Sequence, residues 1–106
     1  MPRRARTIAG GYVYHILNRA NDRHRLFETE HDFAVFEQVL DEAQERVRLR
    51  ILAYVIMPNH WHFVVWPRPE EDTAVSDFFG WLSLTHSQRW RTFHGNSGAG
   101  HVYCTF

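Results

Sequence analysis

Residues 49–66 constrain the fold more than any other stretch of the chain. Leu49 to Ile56 and His60 to Trp66 are runs of β-branched, aromatic and other apolar residues, separated by Met57-Pro58-Asn59. Pro and Asn are turn formers, and so short a connection predicts that the two runs pair as an antiparallel hairpin. Period-two alternation places Leu49, Ile51, Ala53 and Val55 on one face of the first strand. On the second it puts His60 and His62 on one face and Trp61 and Phe63 on the other.

The flanking segments supply the rest of a small sandwich. Tyr12 to Leu17 is rich in β-formers and reads as a strand. It follows a basic arm, residues 1–9, expected to be mobile up to Gly10-Gly11. Asn18 to Arg25 reads as a polar, Arg-rich loop. Phe33, Phe36, Val39, Leu40, Ala43 and Val47 recur at helical spacing, with Thr29 and Asp32 placed to cap the start. A second helix is predicted over Thr73 to Phe93, where Val75, Phe78, Phe79, Leu82, His86, Trp90 and Phe93 form one stripe. Residues 95–100, Gly-Asn-Ser-Gly-Ala-Gly, read as a flexible loop, and His101 to Phe106 as a fourth strand. The order β-α-β-β-α-β predicts an α+β, ferredoxin-like sandwich in a single domain over 1–106. Both helices cover one face of its antiparallel sheet. The other face is left to bind something, or to be covered by whatever follows residue 106.

Composition narrows the partners. Of the 106 residues, 44% are hydrophobic and 15% aromatic, which fits a packed core and argues against disorder. No apolar run approaches the roughly 20 residues of a membrane span. The N-terminus lacks a signal peptide's apolar segment, and the lone Cys104 points to a reducing compartment. Formal charge is zero but segregated: residues 1–25 are net +5, 28–45 net −7, 46–68 net +4, 70–77 net −4 and 78–106 net +2. A basic face can therefore be assembled from separate segments. All twelve basic residues are Arg. Arg forks onto phosphate and stacks on bases, although codon usage in a GC-rich genome produces the same bias.

Several groups could carry chemistry. Two imidazoles on one strand face are half of a metal site; His15, His86 and His101 are candidates for a third ligand, each equally readable as a structural or surface histidine. Tyr12, Tyr14, Tyr54, Trp61, Phe63 and Trp66 would make a stacking platform for single-stranded nucleic acid if exposed, and a core if not. Asn18, Arg19, Arg23 and Arg25 after the first strand, and Gln88, Arg89 and Arg91 off the helix stripe, are candidate DNA-binding residues that could hold phosphates. A solvated helix face reads as well for the last three. The acidic positions Glu37, Asp41, Glu42 and Glu45 read as a solvated helix face. A Gly-rich phosphate loop and a paired-Cys zinc site are absent from the sequence.

The run Ala53-Tyr54-Val55-Ile56-Met57-Pro58-Asn59-His60-Trp61-His62-Phe63-Val64-Val65 resembles the signature of the IS200-like and REP-associated single-tyrosine transposases. In that family Met-Pro-Asn-His-x-His followed by aliphatics marks the His-hydrophobic-His (HUH) metal motif. His15-Ile16-Leu17-Asn18-Arg19, Leu26-Phe27, Leu84 to Trp90 and Gly100-His101-Val102-Tyr103 extend the resemblance over about residues 11–103.

The resemblance implies a divalent cofactor, Mg²⁺ or Mn²⁺, with His60 and His62 as metal ligands. It implies single-stranded or hairpin DNA as partner, cleaved and rejoined through a phosphotyrosine, in a bacterial cytoplasm on the nucleoid. It also implies that the nucleophilic tyrosine sits on a further helix, beyond the last core strand, which usually adds a third metal ligand. The chain ends at Phe106, and Tyr103 falls on the strand stretch rather than on such a helix. The expectation is thus a truncated, frameshifted or shortened domain that binds DNA and lacks its nucleophile. Apolar sheet surface left bare by the lost helix would favour a homodimer. Two other functions suit the residues: a non-catalytic module with an RNA-recognition-like sheet, and a metallohydrolase with a water nucleophile.

Overall fold

The computed structural model describes residues 8–20 and 25–94. Its elements are β1 (Tyr14–Arg19), α1 (Glu30–Arg46), β2 (Ile51–Met57), β3 (His60–Val65) and α2 (Ala74–His94). The three strands form an antiparallel sheet in the order β1-β3-β2, and the fold is α+β. The predicted fourth strand, His101 to Phe106, and the loop before it lie outside the described residues, as do Arg23 and residues 1–7.

Local chemistry explains where the elements begin. The N-cap of α1 is Thr29, in extended backbone, and its side chain accepts from Asp32 N–H at 3.3 Å. The Asp32 carboxylate accepts in return from Thr29 N–H at 3.2 Å and Glu28 N–H at 2.9 Å. This capping box satisfies donors that no intrahelical carbonyl reaches, and Glu30 and Asp32 complement the positive end of the helix dipole. At the far end the Gln44 amide clamps Leu49, donating to its carbonyl at 2.7 Å and accepting from its N–H at 3.1 Å. Pro58 and Asn59 turn the chain from β2 into β3. Their carbonyls also accept from Leu26 N–H (2.8 Å), Phe27 N–H (3.1 Å) and Ala20 N–H (2.7 Å), so the turn anchors both ends of the segment after β1.

One face of β3 makes the core. Trp61, Phe63 and Val65 are fully buried against Phe36 of α1 and Phe79 of α2. Both helices therefore cover the same side of the sheet, as the period-two and period-3.6 patterns predict. The opposite face carries His15, Leu17 and Arg19 from β1, Ala53, Val55 and Met57 from β2, and His60, His62 and Val64 from β3.

Three local expectations change. The first strand begins at Tyr14, two residues late, and continues through Asn18 and Arg19, which are strand rather than loop. Residues 8–11 are pinned rather than mobile: Ile8 N–H donates to Asp72 O at 2.7 Å and Gly11 N–H to Pro67 O at 2.8 Å. A Cβ at Gly10 would overlap the Arg68 carbonyl, and Gly11 has φ +86°, so both glycines are required there. In β2, a bulge between Ile51 and Ala53 inserts Leu52 as an extra residue. Ile51 therefore pairs with core-facing Val65, while Ala53 and Val55 turn to the open face. The predicted common face of Leu49, Ile51, Ala53 and Val55 does not exist.

Candidate metal centre and DNA face

His60 and His62 stand side by side on the open face because they are two residues apart on one strand. Their ring centroids are 4.9 Å apart and the planes nearly perpendicular. The rings hang over neighbours on both sides: His60 lies between Arg19 and Met57, His62 between Leu17 and Val55. His60 Nδ1 is 2.8 Å from Asn59 Oδ1. A carbonyl oxygen only accepts, so Nδ1 carries the proton and the Nε2 lone pair is free to coordinate. His62 Nδ1 is 2.8 Å from His15 Nε2, reached diagonally across the β1–β3 ladder. Burial, and then the nearness of His15 and His60, push the His62 pKa below its ordinary value. The ring is thus neutral, the form that ligates metals, over a wider pH range.

A donor set of two imidazole nitrogens would suit Mn²⁺ better than the oxygen-seeking Mg²⁺. Among the described residues no group of three or more His, Cys, Asp or Glu could hold an ion. His15 touches His62 rather than joining the pair as a ligand. His86 is 1% exposed and lies in the core, stacked on Phe27 and edge-on to Phe36, on the wrong side of the sheet for a ligand. His101 is outside the described residues.

The candidate DNA-binding residues separate by position. Arg19 is exposed on the open face, directly across from His60. Arg25 is exposed and, with Met57, Pro58, Asn59 and His60, lines an open depression of about 380 Å³ beside the histidines. Asn18 is different: it is buried, its side chain turned toward Ser83 of α2, and its Oδ1 accepts from Arg19 N–H. It belongs to the interior rather than to a phosphate-binding loop. Gln88, Arg89 and Arg91 ride on α2, in the helical layer, and only Gln88 is fully exposed. Arg89 is engaged, forking onto both carboxylate oxygens of Glu42 on α1 at 2.7 and 2.8 Å; Arg91 donates to Ser87 Oγ. The acidic face of α1 is solvated as predicted at Glu37, Asp41 and Glu45, while Glu42 holds Arg89 and Glu37 also accepts from Tyr54 OH.

The aromatics divide between core and surface, with Tyr12, Tyr54 and Trp66 exposed. Trp61 and Phe63 are buried. Tyr14 and Tyr54 stand opposite Val65 and Phe63, on the helix side, with hydroxyls donating to Ala9 O and Glu37. Trp66, just past β3, is packed under the Arg50 guanidinium at 4.2 Å. Among the described strand residues, the open face carries imidazoles, aliphatics, Met57 and Arg19, and no other ring. Neither the His15–His62 contact nor the Arg50–Trp66 pair was legible without the strand register.

His86 gives the fold a pH dependence. Burial lowers its pKa from 6.5 to about 4. At neutral pH both folded and unfolded forms are uncharged and the group contributes nothing. Below pH ~6.5 the unfolded chain takes up a proton that the folded chain refuses until about pH 4. Stability is therefore expected to fall by about 3 kcal/mol across that window. Urea titrations at successive pH values should show this slope, and His86→Gln should flatten it. A second loss follows at lower pH. Burial alone would raise the Asp32 carboxyl, but hydrogen bonds from Glu28 N–H, His94 and Thr29 N–H hold it below its ordinary 3.8. The stability it contributes is lost only below that value.

Comparison with known proteins gives the face a context. A family model described as IS200-like transposase matches residues 9–104. A REP-associated tyrosine transposase bound to a REP hairpin superposes with a TM-score of 0.64 at 18% identity, covering 98% of this chain and 57% of that one. A candidate transposase from Deinococcus radiodurans R1 gives a TM-score of 0.67 at 18% identity, covering 97% and 83%. The chain thus spans little more than half the length of the hairpin-bound relative. No curated protein matches the chain in sequence. No helix among the described residues is long and apolar enough to cross a membrane.

Proposed function

The chain belongs to the IS200-like transposase family, and from that premise we propose that its open sheet face binds single-stranded or hairpin DNA around a divalent ion held by His60 and His62. The observation that carries this reading is the grouping of His60 and His62 with Arg19 and Arg25 on one accessible side of the sheet. The hairpin bound by the longer relative supports the choice of ligand.

Each residue has a distinct part. Asn59 fixes the His60 ring so that Nε2 points away from its hydrogen bond. His60 and His62 hold the ion, which when bound would neutralise charge on a phosphate oxygen as a Lewis acid. Arg19 and Arg25 position the DNA backbone by charge-assisted hydrogen bonds, which fix register without reading bases. Strand cleavage in such a site needs a hydroxyl nucleophile beside the ion. Among the described tyrosines, Tyr14 and Tyr54 are on the helix side of the sheet, and Tyr12 precedes β1. Tyr103 lies outside the described residues. None of Tyr12, Tyr14 and Tyr54 stands on the face of the histidines, so none of them is the nucleophile of such a site. The alternative, a ring-stacking module resembling RNA-recognition domains, loses support because no strand aromatic among the described residues stands on the open face.

The test is fluorescence anisotropy with a labelled hairpin bearing a single-stranded tail, beside a blunt duplex of equal length. Preference for the tailed hairpin, strengthened by Mn²⁺ and weakened by Arg19→Ala plus Arg25→Ala, is expected. Losing two phosphate contacts should also flatten the salt dependence by roughly 1.5 in logarithmic slope. Equal binding of the duplex, indifferent to Mn²⁺, would refute the assignment. A covalent protein–DNA adduct abolished by Tyr103→Phe would identify Tyr103 as the nucleophile.

A further inference from the structure

His15 is the third imidazole of the open face, and no part of the proposed DNA or metal chemistry uses it. Its Nε2 is 2.8 Å from His62 Nδ1. The two rings are within 15° of parallel, with centroids 5.0 Å apart. That spacing nearly equals the nitrogen–nitrogen distance plus two ring radii. The rings therefore meet edge to edge in a common plane, with the nitrogen lone pair of one aligned on the N–H of the other, rather than face on face.

Two arrangements satisfy a bond between neutral imidazoles. If His15 donates from Nε2, His62 Nδ1 is the acceptor and its own Nε2 must carry the proton, which blocks coordination there. If His62 donates from Nδ1, its Nε2 holds a lone pair. Only the second matches His60, whose Nδ1–H is committed to Asn59 and whose Nε2 is free. Adjacent ligands would then present the same atom, each oriented by an acceptor behind it: a side-chain amide for His60, an imidazole for His62.

We infer that His15 is a positioning residue that accepts the Nδ1 proton of His62 and so sets the tautomer in which His62 Nε2 can bind a cation. The inference rests on His60 and His62 being the ligands, but the tautomer itself can be read without any metal. The strand ladder makes the contact possible. His15 pairs with Val64 and Leu17 with His62, so His15 and His62 are diagonal neighbours on one face, within reach for ring side chains. His15 is exposed, so its replacement removes the hydrogen bond without opening the core.

Long-range ¹H–¹⁵N correlation spectra of the metal-free protein, taken well above the imidazole pKa range, assign the proton on each ring. The wild-type His62 is expected to carry it on Nδ1. In His15→Ala it should move toward Nε2, the form that isolated imidazole side chains favour in water. Mn²⁺ affinity measured by calorimetry should fall about tenfold in the same variant, the low end for loss of an outer partner because the pair is exposed. His15→Gln, whose Oε1 can accept from Nδ1–H, should restore both. A wild-type His62 protonated on Nε2 overturns the inference. So does a His15→Ala protein with tautomer or Mn²⁺ affinity unchanged. The ligand assignment fails separately, if His60→Ala plus His62→Ala still binds Mn²⁺ with wild-type affinity; the tautomer result stands or falls independently of that.

Discussion

Replacing His60 and His62 together by alanine is expected to erase the stabilisation of the protein by Mn²⁺ while leaving its stability without metal nearly unchanged. An ion that binds only the folded state stabilises it by RT ln(1 + [M]/Kd), about 2.7 kcal/mol at a hundredfold excess over Kd. For a domain of this size 1 kcal/mol moves Tm by roughly 4–8 °C, so the wild type should gain on the order of 10 °C under those conditions. The double variant should lose that gain, since no group of three or more His, Cys, Asp or Glu among the described residues could hold the ion in its place. Without metal the change should be within about 0.5 kcal/mol, because both rings are only half-buried. Thermal melts with and without Mn²⁺ check both halves. An equal Mn²⁺ shift in the double variant would show the ion sitting elsewhere.

The same pair shows how far the sequence alone reaches. That His60 and His62 share a face, and that Trp61 and Phe63 take the other, follows from the two-residue repeat and needs no tertiary information. The N-cap at Thr29, the α2 stripe from Val75 to His86 and the hairpin around Pro58-Asn59 are equally local. What was not legible depends on register or on long-range partners. The bulge at Leu52 inverts the faces of β2, and nothing in the run Ile51 to Met57 marks it, because every residue there suits either side. Arg89 looked free to bind phosphate because its partner Glu42 lies 47 positions earlier, on the other helix. Asn18 looked like loop because polar residues in a strand are expected outside, whereas its side chain finds Ser83. His15 is a candidate third ligand in the sequence, but its place beside His62 follows only from the register of β1 against β3.

The other face of β3 predicts a loss of a different kind. Trp61→Ala is expected to cost about 4 kcal/mol, within the range of 3–5 kcal/mol for deleting a buried large aromatic. Trp61 is 0% exposed and is sandwiched in an aromatic cluster: edge-on to Phe63 at 5.2 Å, stacked over Phe79 at 5.6 Å and tilted against Phe36 at 6.3 Å. Truncation leaves a cavity that strand and helices, held by their own hydrogen bonds, close only in part. Against a total of about 5–15 kcal/mol for a domain, this approaches the limit of a folded protein. Trp61→Phe, which keeps a ring in the cluster, should cost less than half as much. Urea denaturation of the three proteins measures the ordering. A Trp61→Ala cost below about 1 kcal/mol would mean that β3 does not pack as described. Combined with the His60/His62 variant, the pair separates two properties along a single strand. Alternate residues of His60-Trp61-His62 should govern metal binding without stability, and stability without a ligand. Because the two sets are interleaved, an insertion or deletion of one residue in β3 would exchange their faces and remove both properties at once.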